Sequence, residues 1–353
     1  MQNQLAAVRR ISFNAVQIKP CVRKLGIVGA GEVVKKRLLP AISALAKQGV
    51  HFEKIVVCSL EAESPLNGFV HEYQPVKFGS LLPFDWLHEQ GMLQKDTLWI
   101  IATPSEWHVP YALQLAGLCR VAIEKPIAAN SEQARLLMAL VENDTYPMDH
   151  KLFNASALSF VDECQRLPSP LRRICQIKGV FYEDTSFSEG RQQEDGIADI
   201  QWHLFTIMVS SLKALGSPFD ISVDEVQVAK HLPHPQNAFS IPQVWTASRI
   251  RGKIHIDNQE IEYDFHQAKG APKNEKYLHF LDEKENSIWE VDLSESGWFA
   301  HARMLKTLLQ PTVDMRHTIT DAISVMKLID HARNIAQEID NYHFGTLPSF
   351  LRK

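Results

Sequence analysis

Three features of the sequence predict an α/β domain with a doubly wound parallel sheet, followed by an α+β domain with a mostly antiparallel sheet. Up to about residue 147, short runs that are apolar throughout alternate with helical patterns. A Gly29-Ala30-Gly31 turn joins the first such run to the first helix. After Pro147 the runs become β-branched, aromatic and loosely alternating, with turn residues between them. Strands covered on both faces by helices read as continuously apolar, whereas alternation marks a sheet with one solvated face.

The elements follow in order. "KLGIVGAGEVV" (24–34) is an apolar strand breaking into glycines, then a helix through "KKRLLPAISALAK" closed by Gly49. "KIVVCSL" (54–60), "DTLWIIATP" (96–104) and "CRVAIEKP" (119–126) are further buried strands, with a helix in "HVPYALQLAG" (108–117) before the last. Asn130 is placed to N-cap "SEQARLLMALVEN", with Gln133 completing a capping box. In the second half, strands are expected in 172–184, 243–256, 260–269 and 276–293, with one long helix at 197–214 and a closing helix at 321–339. The expected organisation is an N-terminal extension (1–23), a dinucleotide-binding domain (24–147) and a substrate-binding and oligomerisation domain (148–353), with helix 321–339 able to pack back on the first domain.

Composition narrows the function. The chain has 353 residues, 45% hydrophobic and 22% charged, with a net charge of −4. That balance argues against nucleic acid as the main partner. No apolar run is long enough to span a bilayer. Cys21, Cys58, Cys119, Cys164 and Cys175 are scattered without C-x-x-C spacing, which suits a reducing compartment. The cytoplasm is the expected location. No His/Cys/Asp set has the spacing of a metal site.

Four constellations could carry chemistry. Gly29 would permit a tight turn, and Gly31 would let backbone N–H groups approach a pyrophosphate at the helix N-terminus, with Ala30, Glu32 and Val33 around them. Ser59 stands at the end of the second strand, where a carboxylate would hold the ribose 2′-OH of NAD. Its absence leans to NADP, although nearby Glu61 would reverse that lean. Lys125 opens from a strand end into the crevice where such sheets bind ligands, beside Glu124 and Pro126, and is suited to stabilise a developing alkoxide. On the helix at 197–214, Asp199, His203, Thr206 and Ser210 form a polar stripe, with Asp199 and His203 four apart as a candidate acid/base pair. "MDHKLFN" (148–154) adds Asp149, His150, Lys151 and Asn154 at the junction of the halves.

With Gly29-Ala30-Gly31, "ATPSEWH", "EKP" and "GIADIQWH" in this order, the chain resembles the Gfo/Idh/MocA oxidoreductases from about residue 24 onward. The resemblance implies a Rossmann domain binding NAD or NADP, and a C-terminal open sheet that often forms a homodimer or homotetramer interface. It implies hydride transfer at a secondary alcohol of a sugar, sugar phosphate or cyclitol. Lys125 would touch substrate and nicotinamide ribose, His203 would be the acid/base and Asp199 would lie beside the substrate. Thr103, Pro104, His108 and Glu124 match the cofactor-side motifs. "MDHKLFN" and the helix motif are also similar to regions of glucose-6-phosphate dehydrogenases, in which a first histidine (here His150) binds sugar phosphate and a second (His203) is the base. Asn154 stands where those enzymes carry a phosphate-binding lysine, for which Lys151 is the nearest substitute. Two alternatives share the fold: a non-catalytic cofactor- and sugar-binding regulator, and an enzyme that cycles tightly bound NAD for hydrolysis or elimination. Tyr182, Arg191 and His301 are candidates for substrate specificity.

Overall fold

The computed structural model describes residues 22–59, 74–77, 81–166, 173–183, 197, 201–214, 218–229, 247–269, 274–295 and 297–339. Residues 1–21 of the expected N-terminal extension, and Glu61, Arg191, Gly196 and Asp199, lie outside them.

Six parallel strands form the first sheet: β1 (Lys24–Val28), β2 (Lys54–Ser59), β3 (Gln74–Lys77), β4 (Thr97–Ile101), β5 (Arg120–Ile123) and β6 (Thr145–Pro147), in the order β3-β2-β1-β4-β5-β6. The order reverses between β1 and β4, which is where doubly wound sheets open a crevice at their carboxyl ends. Every residue of β4 and β5 is buried, as continuous apolarity predicts for a sheet covered on both faces. The first helix, α1 (Leu39–Lys47), is entered through a π-helical turn, Val34–Leu38. Helices α2 (Phe84–Glu89), α3 (His108–Leu115) and α4 (Ser131–Arg135) follow. Asn130 caps α4 by accepting from the Gln133 amide at 2.8 Å. The reciprocal bond differs from the expected box, because the Gln133 side chain accepts from Ala129 rather than from Asn130.

The second sheet has seven strands: β7 (Gln176–Glu183), β8 (Phe219–Ala229), β9 (Ala247–Ile256), β10 (Gln259–Lys269), β11 (Glu275–Leu281), β12 (Ser287–Asp292) and β13 (Gln337–Glu338). Their order is β12-β11-β7-β10-β9-β8-β13, antiparallel except for β7/β10 and β8/β13. One face packs Ile250, Ile254, Phe265 and Phe280 into the main core. On the other, β9 and β10 place opposite charges across from each other: Arg251 opposite Asp264, and Lys253 opposite Glu262.

Helix α5 (Ala155–Arg166), α6 (Trp202–Ala214), α7 (Gly297–Leu308) and α8 (Ile319–Ile335) complete the described fold. The expected helix at 197–214 is described as regular α-helix only from Trp202, and the closing helix ends at Ile335 rather than 339. Helix α8 does reach the first sheet's layer. Asp330 accepts from the Ser131 amide at 2.5 Å, and Arg333 donates to the Ala129 carbonyl. At its other end, Asp321 pairs with Lys213 at the end of α6. No described helix is long and apolar enough to cross a membrane.

Candidate active site

The glycine turn sits at the switch point. Gly29 has φ +107°, and a Cβ there would collide with the Ala102 carbonyl beyond β4, so the turn tolerates glycine alone. A Cβ on Gly31 would meet nothing within 4 Å, so the space above the helix entrance is open to a ligand. Ala30, Glu32 and Val33 line this entrance half-buried, and the Glu32 carboxylate is drawn along the helix to Lys36. Ser59 ends β2, buried. This backbone fits a dinucleotide pyrophosphate at a helix N-terminus.

Glu124 and Lys125 emerge directly from β5. The Glu124 amide still bonds the Ile101 carbonyl, and a cis bond follows Lys125. Glu124 is buried, while Lys125 is partly exposed. His108 holds the neighbouring loops together: Nδ1 lies 2.7 Å from the Pro126 carbonyl and Nε2 2.8 Å from the Thr103 carbonyl. Burial pushes the His108 imidazole down to about 4, against those two carbonyls. A neutral imidazole carries one N–H, so His108 donates to one of these two carbonyls while lying between the Thr103-Pro104 loop and the Lys125-Pro126 turn. Pro104 leads into a short 3-10 turn, Ser105–Trp107.

The stretch after β6 brings the acid. Asp149 Oδ1 lies 2.7 Å from His203 Nδ1, and it also accepts from the Lys151 amide. Both side chains are buried. Burial alone would raise the Asp149 carboxyl, but His203 and the Lys151 amide hold it below the usual carboxylate range. Burial lowers His203, against the Asp149 charge that favours its protonated form. The pair is thus a carboxylate and a neutral imidazole that donates from Nδ1 and leaves Nε2 basic. Phe181 on β7 stacks against the His203 ring at 5.7 Å.

His150 turns to the same place. Its ring meets His203 edge-on at 5.0 Å and stacks on His301 of α7 at 4.4 Å. Burial, followed by the neighbouring cationic groups, His301 first, pushes His150 well down. Lys125 acts electrostatically on both His150 and His203, and the donor atoms of its neighbour Glu124 and of His203 each lie within 4.8 Å of one on His150, so the sheet edge and α6 meet at one site. Glu124, His150 and His301 each bring one donor atom to within 4.8 Å of the others, and so do Asp149, His150 and His203.

Several expectations change. Asp199, expected to partner His203, lies outside the described residues, and the carboxylate that does bond His203 is Asp149. The described part of the polar stripe, His203, Thr206 and Ser210, is buried with the rest of the helix from Trp202 to Leu212, and of these His203 reaches the site. The Lys151 ammonium is occupied by the Leu293 carbonyl at 2.7 Å, and burial lowers it to about 8. Asn154 caps α5, accepting from Ser156 and Ala157. Tyr182 belongs to a separate apolar cluster with Val180, Ala229, Ala247 and Ala268, whereas its neighbour Phe181 faces the site. Strand alternation was the available signal: if one of 181 and 182 faces the site, the other faces away.

By sequence the chain matches no family profile and no curated protein. Its fold is similar to solved oxidoreductases. Glucose-6-phosphate 1-dehydrogenase from Mycobacterium avium matches at 12% identity and TM-score 0.67, covering 94% of this chain and 96% of that one. KijD10, a 3-ketoreductase from Actinomadura kijaniata in complex with NADP and TDP-benzene, matches at 13% identity and TM-score 0.62, covering 91% and 100%. Myo-inositol dehydrogenase from Corynebacterium glutamicum matches at 11% identity and TM-score 0.62, covering 90% and 97%. At such identity the likeness establishes the two-part fold, a Rossmann sheet followed by a mixed, mostly antiparallel sheet.

Proposed function

We propose that the chain is an NAD(P)-dependent oxidoreductase that transfers a hydride to or from a secondary alcohol of a sugar, sugar phosphate or cyclitol. The observation that carries this reading is the Asp149–His203 pair facing Lys125 at the carboxyl edge of the first sheet. The bound nicotinamide would accept or supply the hydride, held by Gly29, Ala30, Gly31, Glu32, Val33, Ser59, Thr103 and Pro104. Ser59 in place of a carboxylate leans to NADP. His203 Nε2 takes the hydroxyl proton during oxidation and returns it during reduction. Lys125 offsets the charge that develops on the reacting oxygen. Asp149 fixes the imidazole tautomer.

Residues 24–147 would hold the cofactor, and 148–353 would hold the substrate and form a homodimer or homotetramer through the second sheet. A phosphorylated substrate would have to draw Lys151 away from Leu293, so His150 is the readier contact. The three similar enzymes act, by their names, on a sugar phosphate, a keto group and an inositol, which supports this range of substrates.

The test is the appearance of reduced nicotinamide with NAD and NADP separately, against free sugars, sugar phosphates and inositols. A signal with one class is expected. Lys125→Met should then keep cofactor binding and lose roughly a hundredfold or more of turnover. Normal turnover in that variant would overturn the role of Lys125. Silence across the panel, in protein that binds the dinucleotide, would favour the regulator or the internally cycling enzyme.

A further inference from the structure

We propose that Glu124, His150 and His301 form a binding site for a divalent transition metal of the zinc class. One carboxylate oxygen and two imidazole nitrogens converge from three separate elements: the end of β5, the stretch after β6, and α7. Their donor atoms lie within 4.8 Å of one another. Tetrahedral zinc, with bonds near 2.0–2.2 Å, sets its donors about 3.5 Å apart. The donors therefore have to close by an ångström or so to share one ion. Glu124 and His301 are buried and His150 is partly exposed, so the three donors sit at the inner end of a site open on one side.

The donor types select the metal. A mixed nitrogen and oxygen set with two imidazoles suits zinc, cobalt or ferrous iron rather than calcium or magnesium, which prefer all-oxygen shells. Three protein ligands leave a further position for water or a substrate oxygen. The His150 and His301 rings stack at 4.4 Å, so one of them has to turn out of the stack to aim its nitrogen at an ion shared with the other. Asp149, bonded to His203, adds a second negative charge beside His150.

Charge sets a signed expectation. Lys125 lies close enough to act on His150, and its ammonium opposes a cation there. Glu124 and Asp149 oppose that effect. Removing the Lys125 charge should therefore tighten metal binding, whereas it should weaken hydride transfer. Metal binding itself does not depend on the dehydrogenase reading, although the ion would share that site and polarise the same substrate oxygen.

The experiment uses the full chain, stripped of metal by chelation and titrated with Zn2+ and, in parallel, with Co2+ as a spectroscopic probe. One ion per chain is expected, with Co2+ giving the visible absorption of a low-coordinate nitrogen/oxygen site. Glu124→Gln and His301→Ala should each weaken binding by more than the roughly tenfold to hundredfold that loss of an outer-shell partner costs. Lys125→Met should strengthen it. Thermal unfolding of each variant shows that it remains folded. No uptake by the wild-type chain, or uptake that the Glu124 and His301 variants leave unchanged (an adventitious ion only), would overturn the site. Metal binding without reduced nicotinamide in the panel would refute the proposed activity and leave the site standing.

Discussion

The bond between Asp149 and His203 decides which imidazole nitrogen can take a proton. With Nδ1 given to the carboxylate, Nε2 is the only basic position left on that ring. Two influences act on its affinity: burial lowers it, and the Asp149 charge raises it. Burial wins, so His203 stays neutral below the ordinary 6.5 of a histidine. Oxidation of the alcohol should accordingly hold its rate as pH falls through 6.5 and decline only below it. Asp149→Asn removes the influence that raises His203. Its acid limb should move to lower pH while turnover drops by roughly a hundredfold to ten-thousandfold. An acid limb that stays put, or moves up, would contradict the pairing. The sequence singled out His203 through its place on an apolar helix. A helical spacing of four pointed to Asp199, which lies outside the described residues, and the carboxylate that bonds Nδ1 stands 54 residues before His203. Local periodicity reports neighbours on one element, and this bond crosses between two.

Strand β5 is the element that aims Lys125, and it is held at both ends. At its far end the buried His108 lies between the Pro126 and Thr103 carbonyls and donates to one of them. At its near end Arg120 is buried and donates to the Leu308 and Gln310 carbonyls, each at 2.7 Å, closing the end of α7. The same helix carries His301, so Arg120 sets the distance between the two halves of the site. Charge-assisted bonds to buried carbonyls contribute about 1.5–3 kcal/mol each. Arg120→Met leaves those carbonyls unsatisfied and should cost about 3 kcal/mol or more, read as a lower urea midpoint with unchanged slope. A loss below about 1 kcal/mol would show that the two carbonyls find water instead. Strands β1, β2, β4 and β5 of this layer were legible because burial on both faces leaves continuous apolar runs, while the short β3 and β6 were not. In the second half α5, β8, α7 and the two-residue β13 were not. The helix α5 carried a readable signal in Ala157, Phe160, Val161 and Cys164, all buried on one face. The strand β8 did not, because a bulge between Val223 and Glu225 breaks its alternation. The helix α7 falls between the last expected strand (276–293) and the closing helix (321–339), where no element was expected.

Across the whole molecule, the buried imidazoles make stability depend on pH. His108 and His317 are both enclosed, and burial pushes each to about 4 from an ordinary 6.5. His317 has Asp321 and Asp149 near it, which favour its proton, and Lys213, which opposes it; burial outweighs them all. His150 and His203 are lowered as well. A histidine whose folded value lies below its unfolded one leaves the unfolded chain holding more protons in between. Stability is then full above pH 6.5 and is lost as pH falls from 6.5 toward 4. Each of the two histidines contributes on the order of 3 kcal/mol to that loss, a large share of a typical domain's total. Carboxylates add little in this window, because Asp149, Asp264 and Asp321 all lie below their ordinary 3.8. The melting temperature should fall steeply between neutral pH and pH 5. His317→Gln, which cannot take a proton, should lower stability at neutral pH by less than it flattens that slope. Equal pH slopes for the two proteins would show that His317 is hydrated when protonated, and that the closed contact between α6, α8 and the Asp149 pair opens before the fold does.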